Sequence, residues 1–295
     1  MRVGYIGLGD IGTPIAERIL HSGEPLVLWN RTRAKMDPFL AAGASAAASP
    51  SDLAARTDII ITCLDSDLAL EEVLLGQEGV VTATERPRAV VDHSTIHPAR
   101  AVEIGMELAN SGVAFVDAPV SGGAPGAQRG TLAIYLGGAA DDVAFVRPIV
   151  QHYGGQISHV GPLGAGQVVK ACNQLVTFCS VIAIGEALAL AEAVGLEAQR
   201  LPEFLQGGYA DSNMLQEYAR GAATGEKAHM TGLINSFVSL FHGKLNDLQQ
   251  GTLALLLKDL GIVSDLARKS GSSAPMISLA ENLYRLIQGQ QSRLI

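Results

Sequence analysis

Short apolar runs alternate with helical patterns through the first half of the chain, and this alternation restricts the fold more than any other feature. The runs are RVGYIG, PLVLW, DIIITCL, AVVDHS and AFVDAPV. Segments between them, such as IGTPIAERILHSG, carry apolar residues at helical spacing and end at glycine. This pattern predicts a doubly wound parallel sheet covered by helices. The runs TLAIYLGG and ISHVG are expected to add further strands to the same sheet.

The strand pattern stops after Pro162, and nearly everything beyond it has helical spacing. The segment GPLGAG breaks the pattern near residues 161–164. A chain of 295 residues is long enough for roughly two domains. We therefore predict an α/β domain over residues 1–161 and an all-α domain over residues 162–295. Within the first, the small-residue segment AAGASAAASPSDLAA is expected to be a loop that enters a helix at Ser51.

Charge and hydrophobicity argue against some classes of partner. The net charge of −8 gives the protein no electrostatic reason to bind nucleic acid or an anionic membrane. The apolar stretch after Lys170 could suggest a membrane span, but Glu186 and Glu192 interrupt it, which favours a buried core helix. The chain begins with MRVGYIGLG, which is a strand pattern and not that of a signal peptide.

The cysteines indicate neither a disulfide framework nor a metal site. Cys63, Cys172 and Cys179 form no CxxC pair, and their odd number leaves one unmatched. We expect all three to be buried as small hydrophobic side chains, with no metal bound. This cysteine usage predicts a reducing, cytoplasmic location.

A glycine-rich turn follows the first predicted strand and precedes the first predicted helix. Gly7, Gly9 and Gly12 form the pattern G-x-G-x-x-G. The first glycine permits a tight turn, the second lets the backbone approach a pyrophosphate, and the third packs helix on strand. The helix N-terminus then faces the anion. We predict that this turn binds a dinucleotide cofactor, through these glycines and the intervening Leu8, Asp10 and Ile11.

The end of the second predicted strand bears on the cofactor. Folds that prefer NAD usually place Asp or Glu there to hold the ribose hydroxyls. Here Asn30 occupies that place, followed by Arg31 and Thr32. An amide does not repel a 2′-phosphate, and a guanidinium can bind one in a forked geometry. NADP(H) is therefore the predicted cofactor and NAD(H) the less favoured one. The alternative is that Arg31, Arg33 and Lys35 belong to a solvated surface turn.

Six motifs in order give the chain a resemblance to a known family. They are GYIGLGDIGTPIA, NRT, DHSTIHP, DAPVSGGAPGAQRGTL, GAGQVVKACNQ and LLLKDLG. With them the chain resembles the β-hydroxyacid dehydrogenases, the family of 3-hydroxyisobutyrate dehydrogenase and tartronate semialdehyde reductase. The resemblance implies an α/β Rossmann-type N-terminal domain followed by an all-α C-terminal domain. It also implies reversible hydride transfer between a nicotinamide and a small 3-hydroxy acid or its semialdehyde, so the expected partner is a small carboxylate.

The same resemblance assigns roles to individual positions. Ser121, Gly122 and Gly123 correspond to the loop that holds the substrate carboxylate, although SGG could also be an ordinary tight turn. Asp259 is a further candidate substrate-binding residue in a nearby polar network, with a structural ion pair as the alternative. The expected cofactor contacts beyond the glycine-rich turn are Leu64 and Asp65 through their backbone, Ser94 and Thr95 near the nicotinamide, and Lys258 against it.

Lys170 matches the family's catalytic lysine. It is the only formally charged residue between Val160 and Gly185. On a helix, Lys170 shares one face with Asn173, Gln174 and Thr177, and Gly166 leaves room for a ligand or backbone one turn earlier. Apolar surroundings disfavour an ammonium ion, so the lysine would exchange a proton with the substrate oxygen. The family's partner amide corresponds to either Asn173 or Gln174. A lysine that only extends its charge to solvent is the structural alternative.

The chain departs from the family pattern between GGYADSNMLQEYA and LLLKDLG. The extra sequence is about GEKAHMTGLINSFVSLFHGKLND. We expect its apolar stripe to be buried at a subunit interface of a homodimer or homotetramer, with a lid over the active site as the alternative. The stripe consists of Leu233, Ile234, Phe237, Val238, Leu240 and Phe241.

Two other functions stay open from the sequence. An imine reductase on the same scaffold resembles the chain in fold, but that group usually lacks the lysine that Lys170 supplies. A cofactor-binding protein without catalysis would also lack it. A 6-phosphogluconate dehydrogenase would have a much longer helical domain.

Overall fold

The computed structural model describes residues 1–224, 229–244 and 250–291. The chain forms two compact units, residues 1–170 and residues 171–295. The first is an α/β unit and the second is helical. One long helix, from Ala165 to Ala193, begins in the first unit and continues into the second.

A single nine-stranded sheet forms the centre of the α/β unit. Its spatial order is β3-β2-β1-β4-β5-β6-β8-β7, with β9 also paired to β8. The strands from β3 to β6 run parallel, as the alternating pattern predicts. The strands are β1 (Val3–Ile6), β2 (Leu26–Trp29), β3 (Ser45–Ala46), β4 (Ile59–Thr62), β5 (Ala89–Asp92), β6 (Ala114–Asp117), β7 (Val120–Ser121), β8 (Leu132–Gly137) and β9 (Gly154–Gly161).

Both faces of the sheet are buried at strands β1, β2, β4, β5 and β6, which explains why these strands are continuous apolar runs. Successive residues of β4 pack into two different clusters, because Ile59 and Ile61 belong to one and Ile60 to the other. Such burial on both sides is typical of parallel sheets covered by helices. The helices of this unit are α1 (Gly12–His21), α2 (Asp37–Ala41), α3 (Pro50–Ala55), α4 (Asp67–Leu75), α5 (Pro98–Asn110), α6 (Gly123–Arg129), α7 (Ala140–Val150) and the start of α8 (Ala165–Ala193).

The sheet differs from the prediction at its ends. Strand β8 runs antiparallel to β6 and β7, so the sheet is mixed and not wholly parallel. Strand β3 lies inside the small-residue segment that was predicted to be a loop. The helix after it begins at Pro50, with the Ser49 hydroxyl accepting a hydrogen bond from the Asp52 N–H at 3.1 Å. Strands of two residues, such as β3, carry no periodic pattern that a sequence could display.

The helical unit has its own apolar core. Phe237 packs edge-on against Tyr284, with ring centroids 4.9 Å apart, and Phe178 lies on the same tyrosine at 5.6 Å. Its elements are the rest of α8, α9 (Leu201–Leu205), α10 (Asn213–Thr224), α11 (His229–Phe241), α12 (Gln250–Ser270) and α13 (Pro275–Gln291).

The apolar stripe of the extra segment lies on α11, and the prediction of a subunit interface for it is wrong in its main part. Leu233, Ile234 and Phe237 are fully buried in the core of the helical unit. Helical spacing shows that such a stripe is covered, but it does not show by what. The remaining parts of the segment, residues 225–228 and 245–247, lie outside the described residues.

The cysteines are less buried than predicted. Cys172 is exposed, and Cys63 and Cys179 are intermediate. Cys172 lies on the same exposed side of α8 as Val168 and Val176. Its residue type suits a core, but the position on the helix decides its exposure.

Helix α8 is long and apolar enough to cross a membrane by length and composition alone. Core helices pass the same test. Phe178, Val181 and Leu188 of α8 are buried in the chain's own helical core. This burial favours the predicted core helix.

Candidate active site

The glycine-rich turn between β1 and α1 requires glycine at two positions for different steric reasons. Gly7 has φ = 107°, and a Cβ on it would lie 2.2 Å from the carbonyl oxygen of Cys63. A Cβ on Gly12 would lie 2.0 Å from the carbonyl oxygen of Gly7. At Gly9, by contrast, a Cβ would meet nothing within 4 Å. The backbone is therefore open at Gly9, where a bound phosphate would approach it.

Two side chains after β2 fix this turn in place. The Leu8 N–H donates to Asn30 Oδ1 at 2.9 Å, and Lys35 Nζ donates to the Leu8 carbonyl at 3.0 Å. The Asn30 amide also donates to the Thr32 carbonyl at 2.8 Å. Helix α1 has no acidic residue in its first turn. An open backbone, a helix N-terminus and a nearby lysine fit the diphosphate of a dinucleotide.

Lys35 was missed as a site residue: it is exposed, and only its contact with the Leu8 carbonyl places it beside the glycine-rich turn. Arg31 is exposed, as the surface-turn alternative expects, and Thr32 is exposed beside it. Asp10 is exposed and Ile11 half-buried in the glycine-rich turn itself.

A row of polar side chains lies at the carboxyl ends of three adjacent parallel strands. Thr62 ends β4, Asp92 ends β5 and Asp117 ends β6. The register pairs Thr62 with Asp92 and Asp92 with Asp117, so neighbouring side chains lie on the same face. All three residues are fully buried. This edge of the sheet is where open α/β folds bind their ligands.

Asp92 is the centre of this row. Its Oδ1 accepts hydrogen bonds from Thr62 Oγ1 at 2.7 Å, from Ser94 Oγ at 2.6 Å and from the Ser94 N–H at 3.1 Å. Its Oδ2 is buried and has no hydrogen-bond partner among the described residues. Burial raises the pKa of Asp92 to about 7, against the opposing hydrogen bonds from Ser94 and Thr62.

Ser94 connects Asp92 to two other segments through hydrogen bonds. The Leu64 N–H donates to Ser94 Oγ at 2.9 Å. Gln167 of α8 donates from Nε2 to the Ser94 carbonyl at 2.8 Å and accepts from the Ile96 N–H at 3.2 Å. The loop after β5, which includes the half-buried Thr95, is therefore held by side chains on both sides.

Asp117 fixes the start of α8. Its two oxygens accept the N–H groups of Gly164 at 2.7 Å and Gln167 at 2.9 Å. A Cβ on Gly166 would lie 2.3 Å from the Tyr135 carbonyl oxygen, so this glycine allows a close backbone approach. Burial raises the pKa of Asp117 to about 6, although the two backbone N–H groups favour its charged form.

Lys170 lies one helical turn after Gln167 on α8. Lys170 is only 8% exposed, which is rare for a lysine. The structural alternative of a lysine that reaches into solvent therefore loses support. Within the α/β unit, Lys170 thus stands on the helix that the loop after β5 and the end of β6 hold in place.

In the helical unit, hydrogen bonds connect the predicted amides, Asn173 and Gln174, to the predicted acid, Asp259. Gln174 is 8% exposed and donates from Nε2 to Asp259 Oδ2 at 2.6 Å. Lys258 Nζ lies 3.2 Å from the other oxygen, Oδ1, of Asp259. Asn173 is half-buried and donates to Gln174 Oε1 at 3.1 Å. Gln174 is therefore engaged with Asp259, and the ion pair that was considered as an alternative for Asp259 is present.

The predicted carboxylate loop follows the short strand β7. Gly122 has φ = 124° and Gly123 has φ = 59°, values that strongly favour glycine. Burial raises the pKa of Tyr135 on the neighbouring β8, and a hydrogen bond with Ser121 acts in the opposite direction. Tyr135 had no sequence signal, because it is separated from Ser121 along the chain.

His93 stabilises the same edge without carrying charge. Its Nδ1 lies 2.6 Å from the Ala118 carbonyl and its Nε2 2.9 Å from the Tyr153 hydroxyl. A neutral ring that donates from Nδ1 and accepts at Nε2 satisfies both contacts. Burial lowers the pKa of His93 to about 4. Among the described residues, no group of three or more His, Cys, Asp or Glu side chains could hold a metal ion.

The buried carboxyl of Asp92 predicts lower stability at alkaline pH. Its pKa is raised from 3.8 to about 7, so the folded chain keeps a proton that the unfolded chain releases. The resulting stabilisation is complete below about pH 4 and is lost as the pH rises through about 7. Thermal midpoints between about pH 5 and about pH 8.5 should fall with pH in the wild type, and fall less in Asp92→Asn.

Asp58 provides the control for this measurement. A hydrogen bond from Arg2 lowers the pKa of Asp58, so its contribution is present at neutral pH and is lost only in acid. Asp58→Asn should therefore keep the wild-type slope over the same pH range. Equal slopes for the wild type and Asp92→Asn would contradict the prediction.

A Rossmann-type sheet, a glycine-rich turn open to phosphate and polar groups at the strand ends define an α/β protein of the dinucleotide-binding class. Residues 2–161 match the family described as the NAD binding domain of 6-phosphogluconate dehydrogenase. Residues 164–239 match the family described as NAD-binding of NADP-dependent 3-hydroxyisobutyrate dehydrogenase. The chain belongs to the β-hydroxyacid dehydrogenase family.

Known relatives support this assignment over nearly the whole chain. The NAD-dependent L-serine dehydrogenase of Pseudomonas aeruginosa is 36% identical over 98% of this chain and 93% of its own length. A structure of 3-hydroxyisobutyrate dehydrogenase from Mycobacterium tuberculosis with L-serine is 28% identical, with a TM-score of 0.77 over 98% of this chain and 94% of that one. An imine reductase from Streptomyces aurantiacus, 22% identical with a TM-score of 0.64 over 97% and 94%, shares the fold.

Proposed function

We propose that the protein is an NADP(H)-dependent dehydrogenase of small 3-hydroxy acids, acting reversibly on the acid or its semialdehyde. The observation that carries the proposal is the burial of Lys170 on the helix that Gln167 ties to the loop after β5. Burial disfavours the charged form of a lysine, so a buried lysine is suited to a purpose that involves loss of its proton. Proton exchange with a reacting oxygen is the purpose that the family membership supports.

The proposed reaction divides the work between cofactor and protein. The glycine-rich turn would hold the dinucleotide, whose nicotinamide would supply the hydride-transfer chemistry. Lys170 takes the proton of the substrate hydroxyl during oxidation and returns it during reduction. Ser121, Gly122 and Gly123 are proposed to hold the substrate carboxylate, and the half-buried Asn173 to hold the substrate beside Lys170. Lys258 and Asp259 are proposed to support the cofactor and its polar surroundings.

The names of the relatives suggest a substrate class. L-serine and 3-hydroxyisobutyrate both carry a hydroxymethyl group on the carbon next to the carboxylate. They differ only in the other substituent of that carbon, which is an amino group in one and a methyl group in the other. We propose that the substrate is a 3-hydroxypropanoate with a small substituent at this carbon. The carboxylate loop would then recognise the shared part.

The proposed preference for NADP(H) rests on the end of β2. Asn30 stands there in place of a carboxylate, and Lys35 supplies a cation beside the glycine-rich turn. The Pseudomonas aeruginosa relative is named NAD-dependent, so the preference needs a direct measurement. Steady-state kinetics with both cofactors should give the higher kcat/KM with the phosphorylated one.

Asn30→Asp should shift this preference toward NADH. The new carboxylate retains an acceptor for the Leu8 N–H but repels a 2′-phosphate. The ratio of kcat/KM for NADPH over NADH should fall by at least about 10-fold, equal to about 1.4 kcal/mol. Asn110→Asp, the same change at the exposed end of α5, should leave the ratio unchanged. A wild type that prefers NADH would overturn the proposed cofactor.

The function itself is tested by a substrate screen. Oxidation of L-serine, 3-hydroxyisobutyrate and related hydroxymethyl acids is followed at the nicotinamide absorbance, with semialdehydes and cyclic imines in the reverse direction. We expect turnover of at least one hydroxymethyl acid. Turnover of cyclic imines alone would favour the imine reductase, and cofactor binding without turnover would favour a non-catalytic protein.

We also propose that the protein is a cytoplasmic homodimer or homotetramer.

A further inference from the structure

We infer that Gln167 and Thr62 are positioning residues of the reaction. Through the buried hydrogen-bond network around Asp92, they fix the position of Lys170 relative to the loop after β5. This inference rests on the proposed function, because it concerns the geometry in which Lys170 works. Gln167 lies within the motif GAGQVVKACNQ but was given no role there, Thr62 lies outside the six motifs, and neither is proposed to touch substrate.

The contacts of Gln167 link two parts of the site. Its side chain donates to the Ser94 carbonyl at 2.8 Å and accepts from the Ile96 N–H at 3.2 Å, so it brackets Thr95. Thr95 is the predicted nicotinamide contact. Gln167 also precedes Lys170 by three residues on α8, which sets the two side chains on one side of the helix. A shift of this glutamine would therefore move the lysine relative to the loop.

The other side of the loop is fixed by Asp92. Thr62 and Ser94 both donate to its Oδ1, at 2.7 Å and 2.6 Å, and the Ser94 hydroxyl accepts the Leu64 N–H at 2.9 Å. Gln167 then binds the carbonyl of the same Ser94. A continuous chain of hydrogen bonds thus runs from β4 through β5 to the helix of Lys170.

The network has the burial that precise positioning requires. Thr62 and Asp92 are 0% exposed, and Ser94 and Gln167 are 1% exposed. Hydrogen bonds in such surroundings are strong, and leaving one unmade is costly. Asp117 adds a second constraint, because it accepts the Gln167 N–H and the Gly164 N–H. The first turn of α8 is therefore held by its backbone and by its side chain.

The test compares Gln167→Met and Thr62→Val with the wild type on the best hydroxy acid. A displacement of about 1 Å can cost roughly 100-fold in rate, so kcat of Gln167→Met should fall by about 10- to 100-fold. The Kd of the cofactor should change by less than about 3-fold, because the glycine-rich turn makes none of these contacts. The deuterium isotope effect on kcat should rise as hydride transfer becomes slower than product release.

The isotope effect separates positioning from a merely structural role. Loss of folded enzyme lowers kcat by reducing the amount of active protein, but it leaves the isotope effect unchanged. Thr57 gives the matched control for Thr62. Thr57 precedes β4 whereas Thr62 ends it, both are buried, and Thr57 donates to the Leu53 carbonyl at 2.9 Å. Thr57→Val should lower the thermal midpoint about as much as Thr62→Val but keep the wild-type kcat and isotope effect.

The outcomes are distinct. A wild type that turns over no hydroxy acid or semialdehyde overturns the proposed function and this inference with it. An active wild type with unchanged kcat and isotope effect in Gln167→Met overturns the inference alone. If Gln167→Met fails to fold, the pair of threonine variants decides, because equal kinetics for Thr62→Val and Thr57→Val also overturn it.

Discussion

Replacing Lys170 with methionine is expected to lower kcat by roughly 10²–10⁴-fold, the usual effect of a placed acid or base. Methionine has a similar length and no charge, so the buried position on α8 should accept it without loss of fold. Cofactor affinity should be retained, since the glycine-rich turn lies at β1 and α1. Steady-state kinetics, a thermal midpoint and a cofactor titration on one preparation measure all three.

Two further variants make this result specific. Lys170→Arg should rescue little, because a guanidinium stays protonated at any working pH. Lys269→Met, at an exposed position of α12, should keep the wild-type rate. The pH profile of kcat/KM for reduction should lose its lysine limb in Lys170→Met. Retention of most activity in that variant would make the lysine structural and favour the imine reductase.

Valine at two glycines of the same turn should give opposite results. At Gly9 the side chain meets open space, so Gly9→Val should fold normally. It should nevertheless weaken cofactor binding by at least about 100-fold, or about 2.7 kcal/mol, because it occupies the path of the phosphate. At Gly7 the φ of 107° and a backbone oxygen 2.2 Å from the new Cβ should prevent normal folding. We expect a cost above about 3 kcal/mol for Gly7→Val.

Calorimetric titration with NADP(H) and thermal unfolding measure these two effects separately. Gly232→Val on α11, where a Cβ also meets nothing within 4 Å, controls for the added side chain and should change neither quantity by much. A Gly9→Val protein that binds the cofactor as tightly as the wild type would show that the phosphates lie elsewhere.

The parts of the fold that recur along the chain could be predicted from the sequence. The buried parallel strands appear as apolar runs, and the turn at Gly7 appears as a short local motif. Strand β8 did not reveal its antiparallel direction, because an apolar run has the same composition in either direction. The apolar stripe that includes Leu233 and Phe237 indicated that this face of the helix is buried. It did not indicate which residues cover it, because those residues are distant in the sequence.

The polar network escaped sequence reasoning for a similar reason. Thr62, Asp92 and Gln167 come from three distant segments, and none of them was given a role from the sequence, although Asp92 and Gln167 lie within two of the six motifs. A signal was nevertheless present, because Thr62, Asp92 and Asp117 each end an apolar strand. Carboxyl ends of neighbouring parallel strands meet at one edge, so three such polar endings predict a shared buried cluster. Lys35 had no comparable signal, since its contact with Leu8 depends on how the chain turns after β2.

The bonds of Asp117 determine where the chain can be cut. A fragment that stopped at Gly161, the last residue of β9, would contain the whole sheet but neither the Gly164 nor the Gln167 N–H. The Asp117 carboxylate would lose both donors, and Ser94 and Ile96 would lose the Gln167 side chain. A soluble cofactor-binding fragment should therefore be ended beyond Lys170, with the first turns of α8 kept as part of the sheet's own packing.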